Sequence, residues 1–372
     1  MRLLAAISHH GLGHLAQAAP VLNALRTARP DLDLLVWSGV PHTALAARIQ
    51  APFRHRHEAA DVGLTMHDAV RVDLEASGAA YLAFHRDWDA RVAREADWLR
   101  DERIDGVLAD AACLPLAAAA RAGIPGVGLC SLNWVDIAGA YLAEQPGMEA
   151  VLDQMQQAYE SARAFLRATP AMPMDWLDNR ESVPPIAARG VARGAELRGR
   201  LGLDAGESLV LIGFGGIGYR AARPLPTLAS IRWLVPDDWL APGSAARADL
   251  LPFARAGLPF IDLLASCDAL VTKVGYGSFV EAAAAGVPLL YIDRPDWPET
   301  PFLADWLARN ADAERITEAD LFAPGVAAPL ARLLARGRRR GIAADGAETA
   351  AGRLLALLSQ AGEASPRRPS TS

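Results

Sequence analysis

A chain of 372 residues with 52% hydrophobic and 22% charged side chains can bury two domain cores and is too apolar to stay unfolded. Its formal net charge of −6 leaves no excess of cations to replace phosphate counterions, which argues against nucleic acid as a partner. Three cysteines, odd in number and far apart, form neither a disulfide framework nor a zinc-ligand spacing, so a reducing, cytoplasmic setting is expected.

Residues 2 to 8 read as a buried parallel strand that ends in the glycine turn His9-His10-Gly11-Leu12-Gly13-His14. This apolar run is too short for a signal peptide or a transmembrane span, so any membrane contact is expected to be peripheral. A helix follows with Leu15, Ala18, Ala19, Leu22 and Leu25 on one face, Pro30 stops it, and 32 to 37 is the next strand. A helix near 42 to 50 and a short strand near Phe53 lead into a polar loop from Glu58 to Ser77. One long amphipathic helix then carries Tyr81, Phe84, Trp88, Val92 and Leu99 inward. The strand 104 to 109 closes on Asp110, and helix 114 to 122 with strand 126 to 130 completes another unit. Such alternation predicts a parallel sheet covered on both faces.

From Thr169 to Arg200 the chain is rich in Pro, Gly and Arg and shows little periodicity, as a linker would. Strands and helices resume at 208 to 212, with further strands at 231 to 235, 258 to 261, 269 to 272 and 288 to 292. The expected division is a first Rossmann-like domain over 1–170, a linker over 171–200 and a second such domain over 201–345. An amphipathic helix over 346–360 and a disordered tail over 361–372 complete it.

His14 closes the first glycine turn at the carboxyl end of strand one, where open α/β sheets bind ligands. An imidazole there suits a general base, and the helix N-terminus favours its neutral form. The alternative is a histidine that only caps its helix. Asp110 ends a buried strand and needs a partner, because a lone buried carboxylate is costly. It could instead cap the next helix. Gly213-Phe-Gly215-Gly216-Ile-Gly218 fits the dinucleotide fingerprint formally, but Pro224 and Pro226 obstruct the long helix that such a site needs.

The stretch 268 to 301 reads as a strand, a turn at Gly275 and Gly277, a helix over 278–285 and a second strand. With Ser278 as N-cap the turn is a ready anion site, and Glu281 faces back over it. Lys273 is the only lysine in the chain. It persists where every other cation is arginine, which suits a role for a compact ammonium, against chance survival at a strand end. His9, His10, His55 and His57, and the pairs Asp31-x-Asp33 and Asp87-x-Asp89, are expected to be surface groups, and no metal is expected. The run Arg336-Gly-Arg338-Arg339-Arg340 reads as a solvated helix end that could also rest on anionic lipid.

These residues carry a resemblance. The segment 268 to 301 resembles the donor motif of UDP-glycosyltransferase-like enzymes of the GT-B fold, His-x-Gly-Trp-Asn-Ser-x-x-Glu followed by Gly-x-Pro and an acidic-Gln pair. Lys273 stands for the His, Gly275 for the Gly, Tyr276 for the Trp and Gly277 for the Asn. Ser278 and Glu281 match, and Glu299-Thr300 falls where the acidic-Gln pair contacts the sugar. The chain is also similar, over nearly its whole length, to bacterial homologues of the glycosyltransferase-like domain that precedes the kinase in plant arabinose kinases. Gly275-Tyr276-Gly277, Arg294-Pro295-Asp296-Trp297-Pro298-Glu299 and His10-Gly-x-Gly-His14 carry that likeness.

The resemblance implies an α/β chain of two Rossmann-like domains whose parallel sheets face across a cleft. The first would bind a small-molecule or lipid hydroxyl acceptor beside Gly11 and Gly13, and the second a nucleotide-diphosphate sugar, with a UDP-sugar favoured. It implies a metal-independent, inverting transfer without further cofactor. His14 would act as base, and Asp110 would orient it. Lys273 and Ser278 would hold the diphosphate, Glu281 the ribose, and Glu299 and Thr300 the sugar, with the loop at Gly215 and Gly216 closing on the donor. A nucleotide-sugar hydrolase or 2-epimerase, or a non-catalytic nucleotide-sugar binder, are the alternatives.

Overall fold

The computed structural model describes residues 1–67, 71–215, 223–240 and 247–363. The chain forms two compact units. One comprises Met1–Thr65, Val72–Ile186 and the stretch from Asp345 onward, the other Met66–Arg71 and Ala187–Ala344.

The first unit holds β1 (Arg2–Ile7), β2 (Asp33–Trp37), β3 (Arg54–Arg56), β4 (Gly106–Asp110), β5 (Gly126–Cys130), β6 (Ala164–Ala168) and β7 (Arg180–Val183). They make one sheet in the order β3-β2-β1-β4-β5-β6-β7, with every neighbouring pair parallel. β4 and β5 are buried at every residue, as their unbroken apolar runs require. The order reverses direction between β1 and β4, where Ile7 lies opposite Asp110. At such a switch point the connections leave to opposite faces and open a crevice at the strands' carboxyl ends.

The second unit repeats this plan with β8 (Ser208–Gly213), β9 (Ile231–Val235), β10 (Leu250–Pro252), β11 (Ala269–Lys273), β12 (Leu289–Ile292) and β13 (Ala313–Ile316). Their order is β10-β9-β8-β11-β12-β13, again parallel throughout. Here the switch point lies between β8 and β11. The Thr272 hydroxyl donates to the Gly213 carbonyl across it, at 2.6 Å.

Four elements differ from the sequence reading. The long helix is two, Leu74–His85 and Trp88–Asp101, because the chain leaves helical geometry at Asp87 (φ −115°, ψ 44°). The apolar spacing runs through the break undisturbed, since His85 stacks on Trp88 with ring centroids 4.5 Å apart. The run 258 to 261 is no strand. Pro259 precedes the helix Phe260–Ser266, and the strand of that region is the short edge strand β10. A short apolar run fits either state, and the proline at the N-cap decides it. The stretch 171–200 contains β7 and the helix Gly194–Leu201. β13 escaped notice because Ala-Glu-Arg-Ile offers little apolar pattern.

The last helix, Gly346–Glu363, runs past residue 360 and belongs to the first unit. Arg353 donates twice to Glu181 at 2.6 Å, and Gly106 makes room for Leu358, whose Cδ2 lies 2.6 Å from where a Cβ would stand. The tail from 364 lies outside the described residues. Among the described residues no helix is long and apolar enough to cross a membrane.

Candidate active site

In the first unit the turn after β1 delivers His14 as the second residue of the helix Gly13–Ala28. Gly11 adopts φ +80°, a left-handed conformation that favours glycine, so the turn stays tight. Asp110 ends β4 directly across the switch point. The two meet: His14 Nδ1–H donates to Asp110 Oδ1 at 2.7 Å, with 5% and 0% of each residue exposed. A carboxylate on Nδ1 fixes the tautomer that leaves Nε2 with its lone pair. Burial pushes the Asp110 carboxyl above its usual range, against the opposing pull of His14 and the Cys130 thiol. A carboxylate so placed is short of hydrogen bonds, and its Oδ2 has no further partner among the described residues. It therefore stabilises positive charge on the imidazole strongly.

Cys130 Sγ lies 3.6 Å from His14 Nδ1, and His14, Asp110 and Cys130 bring three ligand-type atoms within 4.8 Å of one another. An ion bound by all three would have to replace the 2.7 Å hydrogen bond.

Five residues around this pair were not read from the sequence. Gln17, one turn after His14, accepts from Ser131 N–H at 2.9 Å and so ties the end of β5 to the helix. Trp134 places its ring 5.7 Å from His14 and donates Nε1–H to the buried Asp61 at 2.8 Å. Asn133 caps the Trp134–Leu142 helix by accepting from Asp136 N–H. Asn after a strand end was the available signal; Asp61, in an aperiodic polar loop, had none. Tyr159 is the fifth. Its hydroxyl donates to the Ala111 carbonyl at 2.5 Å and accepts from Trp134 N–H at 3.2 Å. Ala111 follows Asp110 at φ +56°, a strained position for a residue with a Cβ. Tyr159→Phe strands a buried carbonyl and a buried N–H. It is expected to destabilise the chain by about 1–3 kcal/mol, measured by urea unfolding. An unchanged midpoint would show that Ala111 is held by something else.

In the second unit, Lys273 ends β11 beside β12, paired in register with Ile292. The helix after it begins at Tyr276, not at Ser278, and ends at Ala285. Gly275 is the N-cap with no side-chain cap, so Ser278 is the third helical residue and half-buried. The reason is local: Gly275 accepts the first helical bond, from Phe279 N–H at 3.2 Å, three residues earlier than a serine cap would. The N–H groups before Phe279 lie outside the helix's own ladder, as at the start of any helix. Gly275 is extended at φ 176°, a conformation open to any residue. A Cβ there would meet only the Lys273 carbonyl, at 4.0 Å, so the glycine keeps the helix end uncovered rather than easing a turn. Tyr276, Gly277 and Glu281 are buried in the same helix.

After β12 the chain folds back through a buried corner. The Arg294 guanidinium stacks 4.5 Å over the Trp297 ring, Thr300 Oγ1 donates to the Arg294 carbonyl at 2.7 Å, and Trp297 Nε1–H reaches Glu299 at 3.3 Å. Arg294, Glu299 and Thr300 are all buried. Burial pushes the Lys273 ammonium down to about 7, the Arg294 charge pushes the same way, and Glu299 opposes them. Lys273, Arg294 and Glu299 therefore share one corner, at the carboxyl ends of β11 and β12. Gly215, just past β8, takes φ +79°, and Gly216 lies outside the described residues.

The remaining candidates, His9 apart, lie elsewhere. His55 and His57 donate to the Ser38 and Gly39 carbonyls, Asp31 and Asp33 pair with Arg29 and Arg2, and Asp87 and Asp89 are exposed. His9 is paired with Asp61 and is no isolated surface group. In the arginine run, Arg338 donates to the Ala265 and Ala285 carbonyls, near the C-terminal ends of two helices, where a cation complements the dipole.

No protein-family model matches the chain. It is 27% identical over 310 residues to an L-arabinokinase of Arabidopsis thaliana, covering 81% of this chain and 29% of that protein. The chain thus spans under a third of that relative's length. Among solved structures it is similar to the calicheamicin glycosyltransferase CalG4, at TM-score 0.62 and 17% identity, over 98% of this chain and 100% of the other. It is also similar to the glycosyltransferase SnogD from Streptomyces nogalater, at TM-score 0.55 and 20% identity, over 98% of each chain. The spinosyn forosaminyltransferase SpnP aligns at TM-score 0.57 and 18% identity, over 98% and 95%. The chain has the GT-B fold.

Proposed function

We propose that this GT-B chain transfers a glycosyl group from a nucleotide-diphosphate sugar to a hydroxyl acceptor. The observation that carries the reading is the buried 2.7 Å bond between His14 and Asp110 at the first switch point. His14 Nε2 takes the acceptor's proton as its oxygen attacks the anomeric carbon, and Asp110 stabilises the imidazolium that forms. Attack opposite the leaving diphosphate inverts the anomeric centre. Lys273 and the N-terminus of the Tyr276–Ala285 helix meet the charge left on the diphosphate, Glu281 accepts from the ribose, and Glu299 and Thr300 contact the sugar. A UDP-sugar is the favoured donor.

A thermal-shift panel of UDP-, GDP-, dTDP- and ADP-sugars tests the donor class, because a ligand bound only by the folded chain must raise its melting point. One nucleotide series is expected to stabilise the protein, and no shift with any of the four would overturn the donor assignment. Transfer is expected to proceed undiminished in EDTA, since protein groups meet the diphosphate charge. Loss of activity in chelator, restored by Mg²⁺ or Mn²⁺, would give that role to a metal ion.

A further inference from the structure

A second carboxylate–imidazole pair stands beside the first. His9 Nδ1 lies 3.3 Å from Asp61 Oδ1, and Asp61 Oδ2 accepts Trp134 Nε1–H at 2.8 Å. The Asp61 side chain is 3% exposed and that of His9 is 36% exposed, so the carboxylate stands behind and the imidazole in front. Two glycines back this loop. A Cβ at Gly39 would press on the His9 ring at 3.2 Å, and one at Gly63 would meet His10 Cβ at 2.9 Å. Trp134 joins the two pairs, since its ring also lies 5.2 Å from His10 and 5.7 Å from His14.

A carboxylate this deeply buried demands a cation, and His9 is the group that can supply it. The bond to Asp61 raises the His9 pKa, against burial and the nearby His14 charge, and the Asp61 charge adds to the rise. Burial pushes Asp61 up, but the bond and charge of His9, with Ser8 adding, outweigh it and hold it below the usual range. With Nδ1 committed, the His9 Nε2–H remains for a ligand.

We propose that the outer edge of the His9 ring, backed by the buried Asp61 carboxylate, binds an oxyanion on the acceptor, so that the accepted hydroxyl belongs to an organic acid or a phosphate ester. This rests on the reading of the first unit as the acceptor side. Both Asp61 oxygens are engaged, by His9 Nδ1 and by Trp134 Nε1–H, and its side chain is 3% exposed, so the ligand meets the ring and not the carboxylate. The ligand's oxyanion meets the outer edge of the ring, close to the loop that carries His14.

The test titrates full-length protein carrying ¹³C-labelled histidine with glycerate, glycerol 3-phosphate and glycerol, which share a hydroxylated skeleton and differ in charge. At least one anion is expected to move the His9 resonance, and glycerol is not. A response to glycerate alone or to glycerol 3-phosphate alone assigns the oxyanion as carboxylate or phosphate. His9→Gln keeps a donor for Asp61 but loses the charge, and is expected to weaken anion binding about 10- to 100-fold in a folded protein whose melting point falls as Asp61 loses its cation. Asp61→Asn should move the pH at which binding is lost downward, as His9 returns toward its ordinary value; a purely structural role would leave that pH unmoved. His14→Ala should still bind the anion while losing transfer, which separates failure of this proposal from failure of the transfer reading. If neither anion moves the His9 resonance, or His9→Gln binds as wild type does, the proposal is wrong.

Discussion

His14→Ala is expected to lower turnover by about 10²–10⁴-fold while leaving affinity for the nucleotide diphosphate nearly unchanged. The size follows from the loss of a general base whose proton uptake Asp110 stabilises through the 2.7 Å bond. The selectivity follows from the division of the chain, since His14 lies in one unit and Lys273 in the other. Asp110→Asn supplies the companion measurement. An amide in place of the carboxylate cannot stabilise the imidazolium, so turnover should fall again without loss of nucleotide affinity. Near-normal turnover in folded His14→Ala would remove both residues from the mechanism.

Lys273→Ala should weaken nucleotide diphosphate binding by about one to two orders of magnitude. A charge-assisted hydrogen bond is worth roughly 1.5–3 kcal/mol, at about 1.4 kcal/mol per tenfold. The pKa of about 7 adds a second signature. A bound diphosphate favours the ammonium and raises that pKa, so binding above pH 7 takes up a proton. Affinity is therefore full below about 7 and falls as pH rises through it, by up to about tenfold per unit. Lys273→Arg stays charged across this range and should flatten the profile, provided the planar fork fits beside Arg294. Equal affinity in wild type and Lys273→Ala by titration calorimetry would make the lysine a bystander.

The sequence showed the strands that flank both switch points, because they are apolar runs ending at Ser8-His9 and Asp110, and at Gly213 and Lys273, while the strand order that makes them switch points needed the structure. The pairing of His14 with Asp110 was legible only through the family resemblance, since the residues alone left Asp110 equally able to cap the next helix. What escaped were contacts made by residues without a periodic context. Asp61 sits in an irregular loop, and Tyr159 lies on a helix face whose spacing reports burial but not a bond to a strained carbonyl. Ser278 was misplaced as a cap because serine is the usual cap, and an extended glycine took the position first. The second half of the edge pattern, β10 and β13, was hidden by short length and charge. Arg294 was visible only as part of a motif; its place over Trp297 and against Lys273 needed the folded corner.

The central claim is that a nucleotide sugar is consumed by an acceptor hydroxyl through His14. Release of nucleotide diphosphate, followed with and without acceptor in wild type and His14→Ala, tests it most directly. The account predicts release that depends on acceptor, matches the glycoside formed mole for mole, and is lost in His14→Ala. Release at the same rate without acceptor would make the chain a hydrolase, and would contradict the account.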